Sequence, residues 1–256
     1  MANANKTTER ILTTALAIAV TALVAQLAYP GVTRWLKAAR PGAVGIFRCH
    51  NGSEARAIAR EGVIYLPEDY STREEWPLVV FLHGSGERGN DPSRLRHKYS
   101  VFSVIPEQIP LDAVVAAPQC LEGYSWQADD VLHVVDRIAK SYRIAPKRVS
   151  LIGYSMGAYG VWSVAASAPD RFAAIVAIAG GGDTALAERA AEIPSWMFHG
   201  EQDQVVPVIE SKEMAKALRE EGSSPKLSLL PGEGHFICRE VVSSSQLWEW
   251  LLEQAK

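Results

Sequence analysis

The stretch Gly153-Tyr154-Ser155-Met156-Gly157 sets one serine between two glycines, directly after the apolar run "RVSLI". A serine hydroxyl is a weak nucleophile at neutral pH, so covalent chemistry at Ser155 needs a base within hydrogen-bond reach and a third group to orient that base. Where a strand turns at once into a helix, the central residue of G-x-S-x-G is strained and its hydroxyl stands exposed. The helix amino terminus beneath it favours developing negative charge. Alone, the pattern equally describes a glycine-flanked turn. The strand before it and the helical "AYGVWSVAASAP" after it make it specific.

The chain has six histidines from which to draw a base. His50 reads as part of a surface turn, His97 belongs to the charged stretch "RLRHKYS", and His133 sits inside the helical "DDVLHVV". His83 and His199 both occur as "HG" at strand ends, where they fix loops. His235 remains, in "LSLLPGEGHFICRE". A turn built from Pro231, Gly232 and Gly234 can return its ring to the strand ends. For the acid, "SWMFHGEQDQVVPV" offers Asp203, a short carboxylate that neighbouring amides can fix at a tight turn. Glu201 and Asp183 stay open as alternatives, and Asp183 also reads as a helix cap.

Acyl transfer further requires donors for an oxyanion. The amide of Met156 follows the nucleophile, and the glycine-rich "VVFLHGSGERG" supplies a second, at Ser85 or at its neighbour Gly86. Glycine-rich backbone also binds phosphate, but no G-x-x-x-x-G-K-[ST] is present and a nucleotide would leave the serine, acid and histidine unexplained. Trp126, in "QCLEGYSW", follows a strand end and reads equally as a substrate contact or a packing residue; Gly86 is the other candidate substrate contact. Glu87 and Arg88 could orient a polar substrate, but an internal ion pair that fixes the loop is the more economical reading.

These groups need a scaffold. "GVIYLP", "PLVVFLHG", "DAVVAAPQ", "RVSLIGYS", "FAAIVAIAGG", "SWMFHG" and "KLSLLPG" are short apolar runs closed by Gly, Pro or polar residues, as strands are. Between them "ADDVLHVVDRIAKSY" and "VIESKEMAKALREEG" repeat apolar residues at helical spacing, and "SSSQLWEWLLEQAK" closes the chain in the same way. Alternation of this kind predicts an α/β fold, a mostly parallel central sheet with helices on both faces. Function then collects at the carboxyl ends of the strands.

At 256 residues and 48% hydrophobic, one large domain can bury a core. A formal net charge of -3, with scattered Lys and Arg, argues against a nucleic-acid partner. The stretch Ile11 to Tyr29 carries no charge and follows Lys6 and Arg10, so residues 1–30 read as a signal peptide or a signal anchor, with a buried core helix as the third reading. Either of the first two places the domain outside the cytoplasm, with membrane contact through residues 11–29 if the leader is retained. Residues 31–61 read as a linker and edge strands, and residues 62–256 as the catalytic domain. Cys49, Cys120 and Cys238 have no metal-ligand spacing, and they fit one disulfide plus a thiol as well as three buried thiols. Nothing in the composition speaks to an oligomer.

From about Gly62 onward the chain resembles the bacterial α/β-hydrolases described as predicted peptidases, phospholipase/carboxylesterase relatives or dienelactone-hydrolase-like esterases. The matching stretches are "YLPEDY", "WPLVVFLHGSGERG", "VAAPQC" with Trp126 following, "GYSMGAYGVW", "PDRFAAIVAIAGGGD", "FHGEQDQVVP" and "GEGH". The order Ser155, Asp203, His235 is that superfamily's order of nucleophile, acid and base. The resemblance implies a serine hydrolase that cleaves small-molecule carboxylic esters through an acyl-enzyme, without metal or organic cofactor. A serine peptidase on the same scaffold and a non-catalytic membrane-tethered binding module are the alternatives. After the histidine, relatives commonly carry a tryptophan-containing stretch, where this chain has Phe236 and Cys238.

Overall fold

The computed structural model describes residues 40–50, 55–96, 98, 100–105, 109 and 111–256. The leader expected at residues 1–30 and His97 lie outside the described residues. The apolar runs form β2 (Glu61–Tyr65), β3 (Trp76–Leu82), β4 (Val114–Ala117), β5 (Ile144–Tyr154), β6 (Ala174–Ile178), β7 (Ser195–Gly200) and β8 (Lys226–Leu230), and β1 (Val44–Arg48) precedes them. They pair in the order β1-β2-β4-β3-β5-β6-β7-β8. β1 and β2 run antiparallel to their neighbours, and every pairing from β4 through β8 is parallel.

Both faces of the parallel part are covered, which is why β3, β4, β6 and β7 are buried at every position. The helices are α1 (Ala128–Ser141), α2 (Met156–Ser167), α3 (Ala187–Ala190), α4 (Ile209–Glu220), α5 (Cys238–Val242) and α6 (Ser245–Glu253). α1 turns Val131, Val134, Val135 and Ile138 inward. α2 packs on β3, β5 and β6, and α4 on β7 and β8. On the opposite face, Phe81, Ile152, Val176 and Phe198 join Val101, Val241 and Trp248 in one core cluster. Each large aliphatic side chain so buried contributes about 1.5–3 kcal/mol. The edge strand β8 is less buried, and Lys226 lies over the Trp196 ring at 4.1 Å, a charge that discourages a further strand from adding there.

Two expectations are corrected. His50 is buried, with Nε2 2.9 Å from the Ile58 carbonyl oxygen, because residues 55–58 fold back against α1, where the Asp130 carboxylate accepts the amides of Arg56 and Ala57. Arg88 does not pair with Glu87: its guanidinium donates to the carbonyls of Ser85 and Tyr124 at 3.2 and 3.4 Å, so the loop is fixed through its main chain. The three cysteines are buried free thiols.

Candidate active site

Ser155 stands between β5 and α2 at φ 53 and ψ -116, a conformation that costs a non-glycine residue about 1–3 kcal/mol. Its amide donates to Ile178 O at 2.8 Å and its carbonyl accepts from Ala158 at 2.9 Å, so the neighbouring strand and the first helical turn hold the strain. The flanking glycines are steric requirements. A β-carbon on Gly153 would stand 2.1 Å from Gly157 O, and one on Gly157 would stand 1.9 Å from Leu82 O. Strand, helix and the loop leaving β3 can converge on the serine only without those carbons.

The other two members arrive on separate loops. Asp203 follows β7, and its Oδ1 accepts the amides of Val205 and Val206 at 2.8 and 2.9 Å. His235 follows β8, and its backbone carbonyl accepts the Tyr154 hydroxyl at 3.2 Å. His235 Nε2 lies 2.9 Å from Ser155 Oγ, and its Nδ1 lies 2.7 Å from Asp203 Oδ2. Burial pushes the Asp203 carboxyl upward, but hydrogen bonds from His235, Val206 and Val205 outweigh it and hold the group below the usual carboxylate range. The structure thus brings Ser155, Asp203 and His235 into one contact chain, with an ionised carboxylate at its end. Of the alternatives, Asp183 caps the turn at Ala185 and Glu201 is exposed.

The amide of Met156 opens α2 and has no intrahelical acceptor to serve. Ser85 lies exposed at the start of a 3-10 turn, Ser85–Glu87, and Gly86 beside it faces open space. The loop is held by its carbonyls: Arg94 donates to Gly86 O at 3.0 Å and Gln119 to Glu87 O at 2.8 Å. His83 anchors its base, accepting the Cys120 amide at Nε2 (2.9 Å), so Nδ1 carries the proton toward Gly84 O at 2.6 Å. Burial lowers the His83 pKa to about 4.

Trp126 is a packing residue that also borders open space. Its Nε1 donates to His83 O at 3.0 Å, and it packs over Gly160, where an added β-carbon would stand 2.7 Å from Trp126 Cβ and 2.9 Å from its ring. It also walls an open cavity of about 440 Å³ with Ser125, Met156, Tyr159, Gly160 and Ser163. Tyr159, exposed on α2 and bonded to Glu210 at 3.2 Å, was not identified from the sequence, nor was His199 as a neighbour of the acid. The spacing of "HGEQD", four residues from His199 to Asp203, is the sequence signal that links the latter pair. Among the described residues no group of three or more His, Cys, Asp or Glu could hold a metal ion.

A strained serine at a strand-to-helix turn, with acid and base on later loops of one mostly parallel sheet, defines the α/β-hydrolase class. The chain belongs to the dienelactone hydrolase family, whose model matches residues 113–246. Among solved structures, a thermostable esterase is 30% identical with a TM-score of 0.71 over 84% of this chain. The chain spans 63% of that esterase's length. Est1E from Butyrivibrio proteoclasticus is 17% identical with a TM-score of 0.59, over 78% of this chain and 98% of its own. An acylaminoacyl peptidase from Pyrococcus horikoshii is 15% identical with a TM-score of 0.61, over 85% of this chain and 42% of its own. The last two share the fold. No curated protein matches by sequence.

Proposed function

We propose that the protein hydrolyses small-molecule carboxylic esters through an acyl-enzyme on Ser155. The observation that carries this reading is the contact chain itself, 2.9 Å from Ser155 Oγ to His235 Nε2 and 2.7 Å from His235 Nδ1 to Asp203 Oδ2. His235 takes the hydroxyl proton as Ser155 attacks the ester carbonyl, and Asp203 holds the imidazole and stabilises its charged form. The amides of Met156 and Ser85, or Gly86 in place of Ser85, receive the oxyanion. His235 then protonates the leaving alcohol, and water activated by the same imidazole releases the acid. The cavity beside Met156, walled by Trp126 and Tyr159, holds the apolar part of the ester. Membership of the dienelactone hydrolase family and likeness to the thermostable esterase support the ester class.

The charge-free stretch Ile11 to Tyr29 supports a location outside the cytoplasm, either secreted after cleavage or tethered to the membrane. Hydrolysis of a graded series of p-nitrophenyl esters by the full chain, beside Ser155→Ala, tests the reaction. Turnover lost in the variant supports it. No turnover by the folded parent rejects it for simple esters.

A further inference from the structure

The acid of the contact chain has a second histidine beside it. His199, at the end of β7, and Asp203 both have side chains 0% exposed, and His199 Nε2 lies 3.2 Å from Asp203 Oδ2. That oxygen is the one His235 Nδ1 approaches at 2.7 Å. His199 Nε2 is also 2.9 Å from the carbonyl oxygen of Val206, whose amide donates to the other oxygen of Asp203. On the far side of the ring, Nδ1 lies 2.7 Å from Ser211 Oγ on α4, and that hydroxyl is 2.7 Å from Gly180 O.

The neighbours of each ring nitrogen decide which of them carries a proton. Nε2 faces two groups, a carboxylate oxygen and a carbonyl, that can only accept. A lone pair there would leave a buried nitrogen pressed against two acceptors, a costly arrangement in a dry site. Nδ1 faces a hydroxyl, which can donate or accept. The ring therefore keeps a proton on Nε2, and the Ser211 hydroxyl, which also stands within reach of Gly180 O, turns its proton to Nδ1. The Nε2 proton is shared between Val206 O and Asp203 Oδ2, a three-centre bond that ties the carboxylate to the turn that carries it.

We infer that His199 is a positioning residue: its Nε2–H fixes Asp203 Oδ2 in line with His235 Nδ1 and draws off part of the carboxylate's charge. This rests on the reading of Ser155, Asp203 and His235 as the hydrolytic set. The consequence lies in the basicity of His235. A carboxylate that already accepts from His199 has less charge left to stabilise the His235 imidazolium. The other titratable groups around the acid and base are Tyr159 on α2, Glu210 on α4, to which the Tyr159 hydroxyl donates, and Tyr154 on β5, its ring 5.5 Å from that of His235.

Two substitutions separate the nitrogens. In His199→Gln the amide nitrogen reaches the place of Nε2. In His199→Asn it reaches only the place of Nδ1 and leaves Asp203 without this donor. We expect His199→Asn to lower kcat about tenfold or more and to move the acid limb of kcat/KM up by about half a pH unit or more, with His199→Gln close to the parent. A residue serving only to pack would make the two variants alike in both respects, and that outcome overturns the inference. Nitrogen-15 NMR of histidine-labelled full chain supplies an arm that needs no variant and no turnover. A His199 ring protonated at Nε2 near neutral pH supports the inference, and a ring protonated only at Nδ1 overturns it. If the protein cleaves no ester, the proposed reaction fails while the NMR result still decides the position of the proton.

Discussion

Gly200, the last residue of β7, meets Gly234 backbone to backbone: a β-carbon on Gly200 would stand 2.2 Å from Gly234 O and 2.5 Å from Glu233 O. Those two residues immediately precede His235, so the imidazole reaches Asp203 only because the strand carrying the acid has no side chain at this point. Gly200→Ala is expected to push the histidine loop away, lowering stability by about 1–3 kcal/mol and turnover by at least about a hundredfold. Gly222→Ala is the control. Its β-carbon meets nothing within 4 Å, and only its φ of +81 resists the change, so it should cost about 1 kcal/mol and leave kcat unchanged. Steady-state kinetics and thermal unfolding of both variants check the contrast.

Asp203→Asn removes the carboxylate from the end of the contact chain while keeping its size. The amide can still accept from Val205 and Val206, so the fold should persist. The tautomer of His235 that accepts the serine proton loses its support, and kcat should fall by about 10⁴. Circular dichroism and thermal unfolding beside the kinetics distinguish this outcome from simple unfolding.

His83 makes stability depend on pH. Its ring is buried and its pKa lowered to about 4 from 6.5, so the folded protein binds this proton less readily than the unfolded chain does. Stability from this site is fully present above pH 6.5 and is lost as pH falls from 6.5 toward about 4, amounting to roughly 3 kcal/mol at most. Protonation would also set an N–H at Nε2 against the Cys120 amide, loosening the loop that carries Ser85. The charged groups near the ring are Glu87, whose carboxylate is 3.9 Å from Nδ1, and Arg88 and Arg94, which lower its pKa slightly further. Urea midpoints at pH 7 and pH 4.5 should separate in the parent by more than they do in His83→Gln.

Ser163 lines the cavity walled by Trp126 and Tyr159, on the helix that begins at the nucleophile. Ser163→Leu should fill that space without touching the contact chain. Esters with long acyl chains are then expected to lose about tenfold in kcat/KM relative to acetate, the scale of one or two methylenes in a pocket. Equal losses across the ester series would place the acyl chain elsewhere.

The scaffold was legible because its signals are local. β3, β4 and β6 appear as unbroken apolar runs, since a strand covered on both faces has no polar side, and α1 shows its buried stripe at helical spacing. The segment 55–58 is harder to read. Its burial of His50 depends on Asp130, more than seventy positions along the chain, and no local pattern carries such a contact. Arg88 likewise stands next to Glu87 in sequence and turns instead to two carbonyls.

What the sequence determined by itself was the nucleophile. Residues 153–157 bring strand end, strained serine and helix start together within five positions, so their chemistry follows from short-range sterics. His235 could be nominated by elimination and Asp203 preferred from turn chemistry, but Glu201 and Asp183 stayed open as alternatives for the acid. Tertiary structure decided among these groups by setting the loops after β7 and β8 against each other at Gly200 and Gly234. It alone put His199 against Asp203 and left Tyr159 beside Trp126. Contacts of that kind arise from the order in which strands pair, and strand order is a property of the whole sheet rather than of any one stretch of chain.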